Sequence, residues 1–222
     1  MKSTIFTTAA MAMLSVVSAL PVEQVAELEA RQSGINANDL KDGNCAGNVF
    51  IFARGSTEIG NMGTICGPQT CSGLKSRLNN DVICQGVGDD DGYAADLPSN
   101  FLRQNTNSRA INGAVGLIKQ AASQCPGSNI LLAGYSQGSA VMTNAIQALD
   151  ATTKSQVKGV VMYGFTRNAQ DRGQVPGFSQ AQTKVFCATG DLVCLNTLTI
   201  TPAHLTYGVN APAASRFLAG TV

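Results

Sequence analysis

Short, continuous runs of apolar residues recur along the chain and predict five buried β-strands. Each run contains β-branched or large apolar residues and is bounded mostly by glycine and polar residues. Runs without alternation of apolar and polar positions are typical of strands buried on both faces of a sheet. The predicted strands are 48–53, 81–87, 129–133, 157–163 and 184–188.

Apolar residues between these runs recur at helical spacing and predict a set of helices. The helices are expected over 67–80, from Asn107 or Ser108 to about residue 124, over 139–149 and over 212–220. Strands that alternate with helices indicate a parallel sheet with helices on both faces. The predicted fold class is therefore α/β, a three-layer sandwich around a mainly parallel sheet of five strands.

One motif that carries chemistry follows the third predicted strand directly. Gly134-Tyr135-Ser136-Gln137-Gly138 matches G-x-S-x-G and stands between that strand and a helix. This is the context of a nucleophile elbow of α/β-hydrolase type, in which a sharp turn presents the serine hydroxyl above the sheet. The alternative is an ordinary turn of small residues, but the strand–helix context favours Ser136 as a nucleophile.

A serine nucleophile needs a base, and the chain has one histidine, His204. His204 follows Ser136 in the chain, as the order Ser, Asp or Glu, His of α/β-hydrolases requires. The carboxylates between them are Asp150, Asp171 and Asp191. Asp150 ends the helix after Ser136 and should point away, and Asp171 lies in a polar loop and is expected to be solvated. Asp191 follows the last strand, where catalytic loops gather, and is the predicted third member.

Acyl transfer also needs donors for the oxyanion that develops on the substrate carbonyl. The backbone N–H of Gln137, directly after the nucleophile, is one predicted donor. Ser56 follows the first strand and could supply its N–H and its hydroxyl as the second. An ordinary turn serine remains the alternative at this position.

Composition excludes several other function classes. The formal net charge is +1 with 13% charged residues, so nothing points to a nucleic-acid partner. Past the first twenty residues no apolar stretch is long enough to span a membrane. A single histidine and no Cys-x-x-Cys argue against a zinc site, so we expect no metal and no cofactor. We also expect a monomer.

The N-terminus has the pattern of an exported protein. Residues 1–19 are predicted to be a signal peptide cut after Ala19. The acidic stretch 20–31 is predicted to be a pro-segment removed after Arg31, leaving one catalytic domain over 32–222. Seven cysteines agree with secretion, and the odd number leaves at least one free or paired between chains.

Four stretches together resemble fungal cutinases, and more broadly the cutinase and acetylxylan esterase family. They are ARGSTE (53–58), GYSQG (134–138), CATGDLVC (187–194) and PAHLTYG (202–208). The resemblance covers the whole predicted mature chain. It implies a five-stranded, mainly parallel sheet with flanking helices and a serine open to solvent without a large lid.

The resemblance also implies residue roles. Ser136, Asp191 and His204 would form the catalytic triad, Ser56 and Gln137 the oxyanion hole, and Asn100 would support the Ser56 loop. Disulfides are implied at Cys45–Cys125 and Cys187–Cys194, and at Cys71–Cys84 as in some relatives, which leaves Cys66 over.

Apolar residues flank the expected cleft and would contact an acyl chain or a polymer surface, although core packing is the alternative for each. They are Leu97, Phe101, Leu102, Leu198, Ile200 and Leu205. Two residues depart from the family pattern, Asn196 where glycine is usual and Thr199 where an apolar residue is common. Both precede His204, so they bear on chain-length preference rather than on the triad.

The sequence thus predicts a secreted serine esterase that hydrolyses cutin and short-chain aliphatic esters through an acyl-enzyme. Its partner is expected to be cutin or another ester polymer. An acetylxylan esterase of the same family is the nearest alternative. A non-enzymatic secreted protein and a lipase with a lid are more distant ones.

Overall fold

The protein is described here by a computed structural model over residues 34–222. The predicted signal peptide (1–19) and pro-segment (20–31) lie outside the described residues. Five strands form one sheet in the order β2-β1-β3-β4-β5, and all four pairings are parallel. The strands are β1 Asn48–Ala53, β2 Ile83–Gly86, β3 Asn129–Tyr135, β4 Val157–Tyr163 and β5 Thr183–Phe186.

Five α-helices that lie wholly within the described residues accompany the sheet. They are α1 Gly67–Arg77, α2 Ser108–Gln124, α3 Gln137–Ala148, α4 Ala151–Gln156 and α5 Ala211–Ala219. The side chain of Asn107 caps α2 by accepting from the Ala110 N–H at 2.9 Å. Helix α1 ends earlier than predicted because Asn79 and Asn80 both have positive φ, which no helix continues.

The two faces of the sheet bury separate apolar clusters, and this explains the continuous apolar runs. In β1, Val49 and Ile51 belong to the cluster that contains α2 and α3. Phe50 and Phe52 belong to the cluster that contains α1 and α5. Each fully buried side chain of this kind contributes about 1.5–3 kcal/mol. The three-layer α/β architecture is therefore confirmed.

Three disulfides tie the loops to this frame, and each pairing agrees with the family pattern. Cys45–Cys125, Cys71–Cys84 and Cys187–Cys194 are all bonded. Cys45–Cys125 spans 80 residues of sequence and on the chain-entropy account contributes about 4.5 kcal/mol. Among the cysteines of residues 34–222, Cys66 is the free one, and it is buried.

None of the helices within residues 34–222 is both long enough and apolar enough to cross a membrane.

Candidate active site

Ser136 occupies a sharp turn between β3 and α3. Its φ of 54° and ψ of −124° lie in a region that non-glycine residues rarely adopt. A Cβ on Gly134 would lie 2.4 Å from the Gly138 carbonyl oxygen, and a Cβ on Gly138 would lie 2.0 Å from that of Ala53. Both glycines are therefore required by close backbone approach, and the turn between them has the form of the predicted nucleophile elbow.

A chain of hydrogen bonds joins Ser136, His204 and Asp191. The His204 Nε2 atom lies 2.9 Å from Ser136 Oγ, and His204 Nδ1 lies 2.9 Å from Asp191 Oδ2. The carboxylate can only accept, so Nδ1 carries a proton and Nε2 presents its lone pair to the serine hydroxyl. The structure thus brings the three predicted residues together in the order that general-base activation of a serine requires.

Burial strengthens the interaction between the imidazole and the carboxylate. His204 is 2% exposed and Asp191 is 3% exposed, so little water screens the pair. The Val193 N–H donates to Asp191 Oδ1 at 2.9 Å and fixes the second carboxylate oxygen. An imidazolium that forms during reaction would therefore face a desolvated and oriented negative charge.

The other two candidates for the third member of the triad, Asp150 and Asp171, make structural contacts instead. Asp150 caps α4, where its Oδ1 accepts from the Thr153 N–H at 2.9 Å. Asp171 was expected to be solvated, and this was wrong: its side chain is 9% exposed and pairs with Arg167 at 3.2 Å. Arg167 stands four residues earlier in the same loop, and this spacing brings the two side chains together.

Tyr135, directly before the nucleophile, supports the loop that carries His204. Its hydroxyl donates to the His204 carbonyl oxygen at 2.8 Å. Burial raises the pKa of Tyr135 well above the usual range of a phenol, so the hydroxyl stays protonated. Sequence reasoning missed this contact because the partner is a backbone atom 69 residues away.

The predicted oxyanion donors lie on two different elements. The N–H of Gln137 is the first of α3, and the first N–H groups of a helix have no partner within it. The Ser56 hydroxyl oxygen accepts from the Asn100 Nδ2 atom at 2.9 Å, so its own proton is free to be donated. Asn100 is itself anchored, since the same Nδ2 also donates to the Leu97 carbonyl at 3.1 Å.

The segment that holds Ser56 is fixed on both sides. The Gly55 N–H donates to Glu58 Oε2 at 2.7 Å, and the Tyr93 hydroxyl donates to the Arg54 carbonyl oxygen at 2.6 Å. The Thr57 N–H donates to the Ala95 carbonyl at 2.9 Å. These bonds preorganise the predicted second donor, which limits the reorganisation it would undergo during reaction.

The Ser136 hydroxyl faces a cleft of about 430 Å³. Five of the six predicted apolar residues line it: Leu97, Phe101, Leu198, Ile200 and Leu205. Leu102 does not line the cleft: its side chain is exposed, on the extended residue that follows a short 3-10 turn, so its contact with substrate stays a prediction. Sequence reasoning missed Thr57, Tyr135, Thr166 and Val193, which complete the lining. Only 8% of Ser136 is exposed, so the cleft is its access to solvent.

The departure at Asn196 has a backbone explanation. Asn196 has a φ of 66°, in the left-handed region that glycine favours and asparagine tolerates. The Gln170 side-chain amide donates to its Oδ1 atom, so the asparagine also anchors the loop that carries Leu198 and Ile200. Nothing in the structure explains the threonine at position 199.

Comparison with known proteins assigns the chain to a family. A sequence model of the cutinase family matches residues 44–222. The chain is 55% identical over 215 residues to Cutinase 3 of Emericella nidulans, which covers 96% of each protein. The chain belongs to the cutinase family. As a cutinase it is an ester hydrolase of the serine type.

Solved structures agree with the cutinase fold. The Trichoderma reesei cutinase in complex with a C11Y4 phosphonate inhibitor superposes with a TM-score of 0.74 and 32% identity, over 89% of this chain and 85% of that one. An acetylxylan esterase solved at 0.90 Å resolution has a TM-score of 0.60 at 18% identity, over 80% and 99% of the two chains. This second likeness shows a shared fold alone.

Proposed function

We propose that this cutinase is a secreted enzyme that hydrolyses the ester bonds of cutin and short-chain aliphatic esters through an acyl-enzyme intermediate. The observation that carries the proposal is the hydrogen-bonded chain Ser136–His204–Asp191 at an apolar cleft. The chemistry follows from the serine and its base, and the substrate class follows from the apolar rim.

The reaction has two steps. Ser136 Oγ attacks the ester carbonyl while His204 Nε2 takes its proton, and Asp191 stabilises the imidazolium. The oxyanion of the tetrahedral intermediate accepts from the Gln137 N–H and from Ser56. The imidazolium then protonates the leaving alcohol, and water, activated by the same base, releases the carboxylic acid from Ser136.

The apolar rim favours an aliphatic polyester over an acetylated polysaccharide. Phe101 is 79% exposed, and Leu97, Leu205 and Ile200 are each more than half exposed. Large apolar side chains held at the surface around a cleft mark a contact region for an apolar partner. A polysaccharide would leave these side chains without apolar partners.

Secretion and processing complete the proposal. Three disulfides suit an oxidising compartment and support export. The proposed mature domain begins at residue 32. N-terminal sequencing of the secreted protein should begin at Gln32, and a chain that began at Leu20 would contradict removal of the 20–31 segment. Size-exclusion chromatography should give the mass of one chain.

The test compares hydrolysis of p-nitrophenyl butyrate, insoluble cutin and acetylated xylan. We expect release of hydroxy fatty acids from cutin, fast hydrolysis of the butyrate and little acetate from xylan. Ser136→Ala should lose all of these activities, whereas Ser76→Ala, a matched change at an exposed position of α1, should keep them. Acetate release without attack on cutin would show that the enzyme is a polysaccharide esterase instead. Activity in Ser136→Ala would contradict the mechanism.

A further inference from the structure

Tyr207 contacts the carboxylate that orients the predicted base. It is fully buried, and its hydroxyl donates to Asp191 Oδ2 at 2.5 Å while accepting from the Ala188 N–H at 2.9 Å. Burial, and then the hydrogen bond with Asp191, raise the pKa of Tyr207 above the usual range. The hydroxyl therefore keeps its proton and is a permanent donor to Asp191.

The same carboxylate oxygen serves two donors. Asp191 Oδ2 accepts from Tyr207 at 2.5 Å and from His204 Nδ1 at 2.9 Å, while Oδ1 accepts from the Val193 N–H. Two donors on one oxygen share its negative charge, so the strength of one bond depends on the other. The Tyr207 hydrogen bond thus reduces the negative charge of Oδ2 that is available to stabilise the imidazole.

The Tyr207 ring also packs directly against the imidazole. The two rings meet edge to face, with centroids 6.0 Å apart and planes at 87°. Gly164, at the end of β4, makes room for both: a Cβ there would lie 2.7 Å from His204 Cε1 and 2.8 Å from Tyr207 Cε2. The hydroxyl is therefore held in place by packing as well as by its hydrogen bonds.

We propose that Tyr207 is a positioning residue for the esterase reaction. Its hydroxyl limits how strongly the Asp191 carboxylate stabilises the protonated His204 ring, and it holds Oδ2 in line with Nδ1. The inference rests on the proposed function, because it assigns Tyr207 a role through the predicted base. Tyr207 does not line the cleft, and its hydroxyl bonds to Asp191 and the Ala188 N–H rather than to Ser136.

Tyr207→Phe would leave Asp191 Oδ2 with His204 as its one donor. The carboxylate would then stabilise the imidazolium more strongly, so the imidazole would keep its proton to higher pH. We expect the acid limb of the pH–rate profile to move up by about half a pH unit. We expect kcat to fall about three- to tenfold at unchanged KM, because Oδ2 is no longer held in line with Nδ1 and the loss of alignment outweighs the stronger stabilisation of the imidazolium.

The neighbouring ionisable groups do not titrate in the pH range of the acid limb. Besides Asp191 and His204, the groups near the Tyr207 hydroxyl are Tyr135, Tyr163 and Cys66. Burial raises the pKa of each of these three. All of them stay protonated across the acid limb, so a shift of that limb reports on the Asp191–His204 pair.

Tyr163→Phe is the matched control. The Tyr163 ring packs against that of Tyr207 at 6.3 Å, and its hydroxyl bonds to Thr70 Oγ1 at 2.8 Å. The control removes one buried hydroxyl from the same aromatic group without touching Asp191. We expect it to lower stability and leave the acid limb unchanged.

A second variant, expected to shift the acid limb in the opposite direction, keeps the proposal testable if Tyr207→Phe does not fold. Site-specific 3-fluorotyrosine at position 207 keeps the ring and gives a more acidic phenol, which donates more strongly to Asp191. The acid limb should then move to lower pH. A residue that only fills space would not produce shifts of opposite direction in the two variants.

The readouts are the pH–rate profile and the protonation of the imidazole by NMR. His204 is the one histidine of the chain, so a histidine-labelled sample gives a single ring to follow. Opposite shifts in the two Tyr207 variants, with none in Tyr163→Phe, support the proposal. Coincident curves for all variants, or an equal shift in Tyr163→Phe, would overturn it. The NMR titration needs no turnover, so it stays decisive if Ser136 proves dispensable.

Discussion

Gly164→Ala tests whether His204 depends on the absence of a side chain behind it. The new Cβ would meet His204 Cε1 at 2.7 Å and Tyr207 Cε2 at 2.8 Å. The imidazole must retreat by roughly 0.7 Å to regain van der Waals contact. The φ of +50° adds about 1–2 kcal/mol for a non-glycine residue, and overpacking adds about 1–3 kcal/mol. We expect a total loss of about 2–5 kcal/mol in the free energy of unfolding.

We also expect Gly164→Ala to lower kcat strongly, beyond its effect on the free energy of unfolding. A displacement of the base by close to 1 Å can cost about 10²-fold in rate. The assay is urea unfolding together with kcat on p-nitrophenyl butyrate. Gly116→Ala is the matched control, because this exposed glycine of α2 has nothing within 4 Å of an added Cβ. The control should gain about 0.5–1 kcal/mol and keep full activity.

An unfolding free energy for Gly164→Ala within ~0.5 kcal/mol of wild type, with kcat within about twofold, would refute this reasoning. That result would mean that the His204 ring can move away from an added Cβ without loss of stability or activity.

Three further predictions follow from the site. Asp191→Asn should lower kcat by about 10⁴-fold while the fold is retained in circular dichroism, because the amide can donate to Nδ1 and so favours the imidazole tautomer whose Nε2 already carries the proton. Asn100→Ala should lower kcat about tenfold at unchanged KM, since Ser56 loses the donor that orients its hydroxyl; a rise in KM alone would contradict this. Burial, and then the charge of Glu58, raise the pKa of Cys66, so Ellman's reagent should react with one thiol only after denaturation.

The sheet could be predicted from sequence because each strand is apolar on both faces. The run at 48–53 coincides with β1, and the run at 157–163 coincides with β4. The predicted start of β2 was too early. The strand begins at Ile83, because the Asp81 N–H donates to the Leu78 carbonyl and the Asp81 carbonyl accepts from Asn48 Nδ2, each at 2.8 Å, instead of joining the sheet. Such contacts between distant loops leave no periodic signal.

Helix boundaries near the site depended on tertiary contacts. Helix α3 begins at Gln137, two residues before the predicted start, because the strained turn at Ser136 leads directly into the helix. Helix α4 was missed, although Asp150 is a good capping residue for it. Six residues form too short a pattern to be recognised by hydrophobic spacing.

The candidate triad could be inferred from sequence by elimination, but its surroundings could not. One histidine and few carboxylates after Ser136 left little choice. Tyr207 and Gly164 carried no comparable signal, because their importance arises from packing against the His204 ring. The pair of Asp171 and Arg167 did leave a signal in its four-residue spacing, but the sequence does not show that the Asp171 side chain is buried.

The most direct test of the central claim is stoichiometric labelling with a serine-directed alkyl phosphonate, read by peptide mass spectrometry. The account predicts that one equivalent abolishes esterase activity and that the label is on the peptide containing Ser136. Ser136→Ala should take up no label. Full inactivation with the label on another serine, and Ser136 unmodified, would contradict the account.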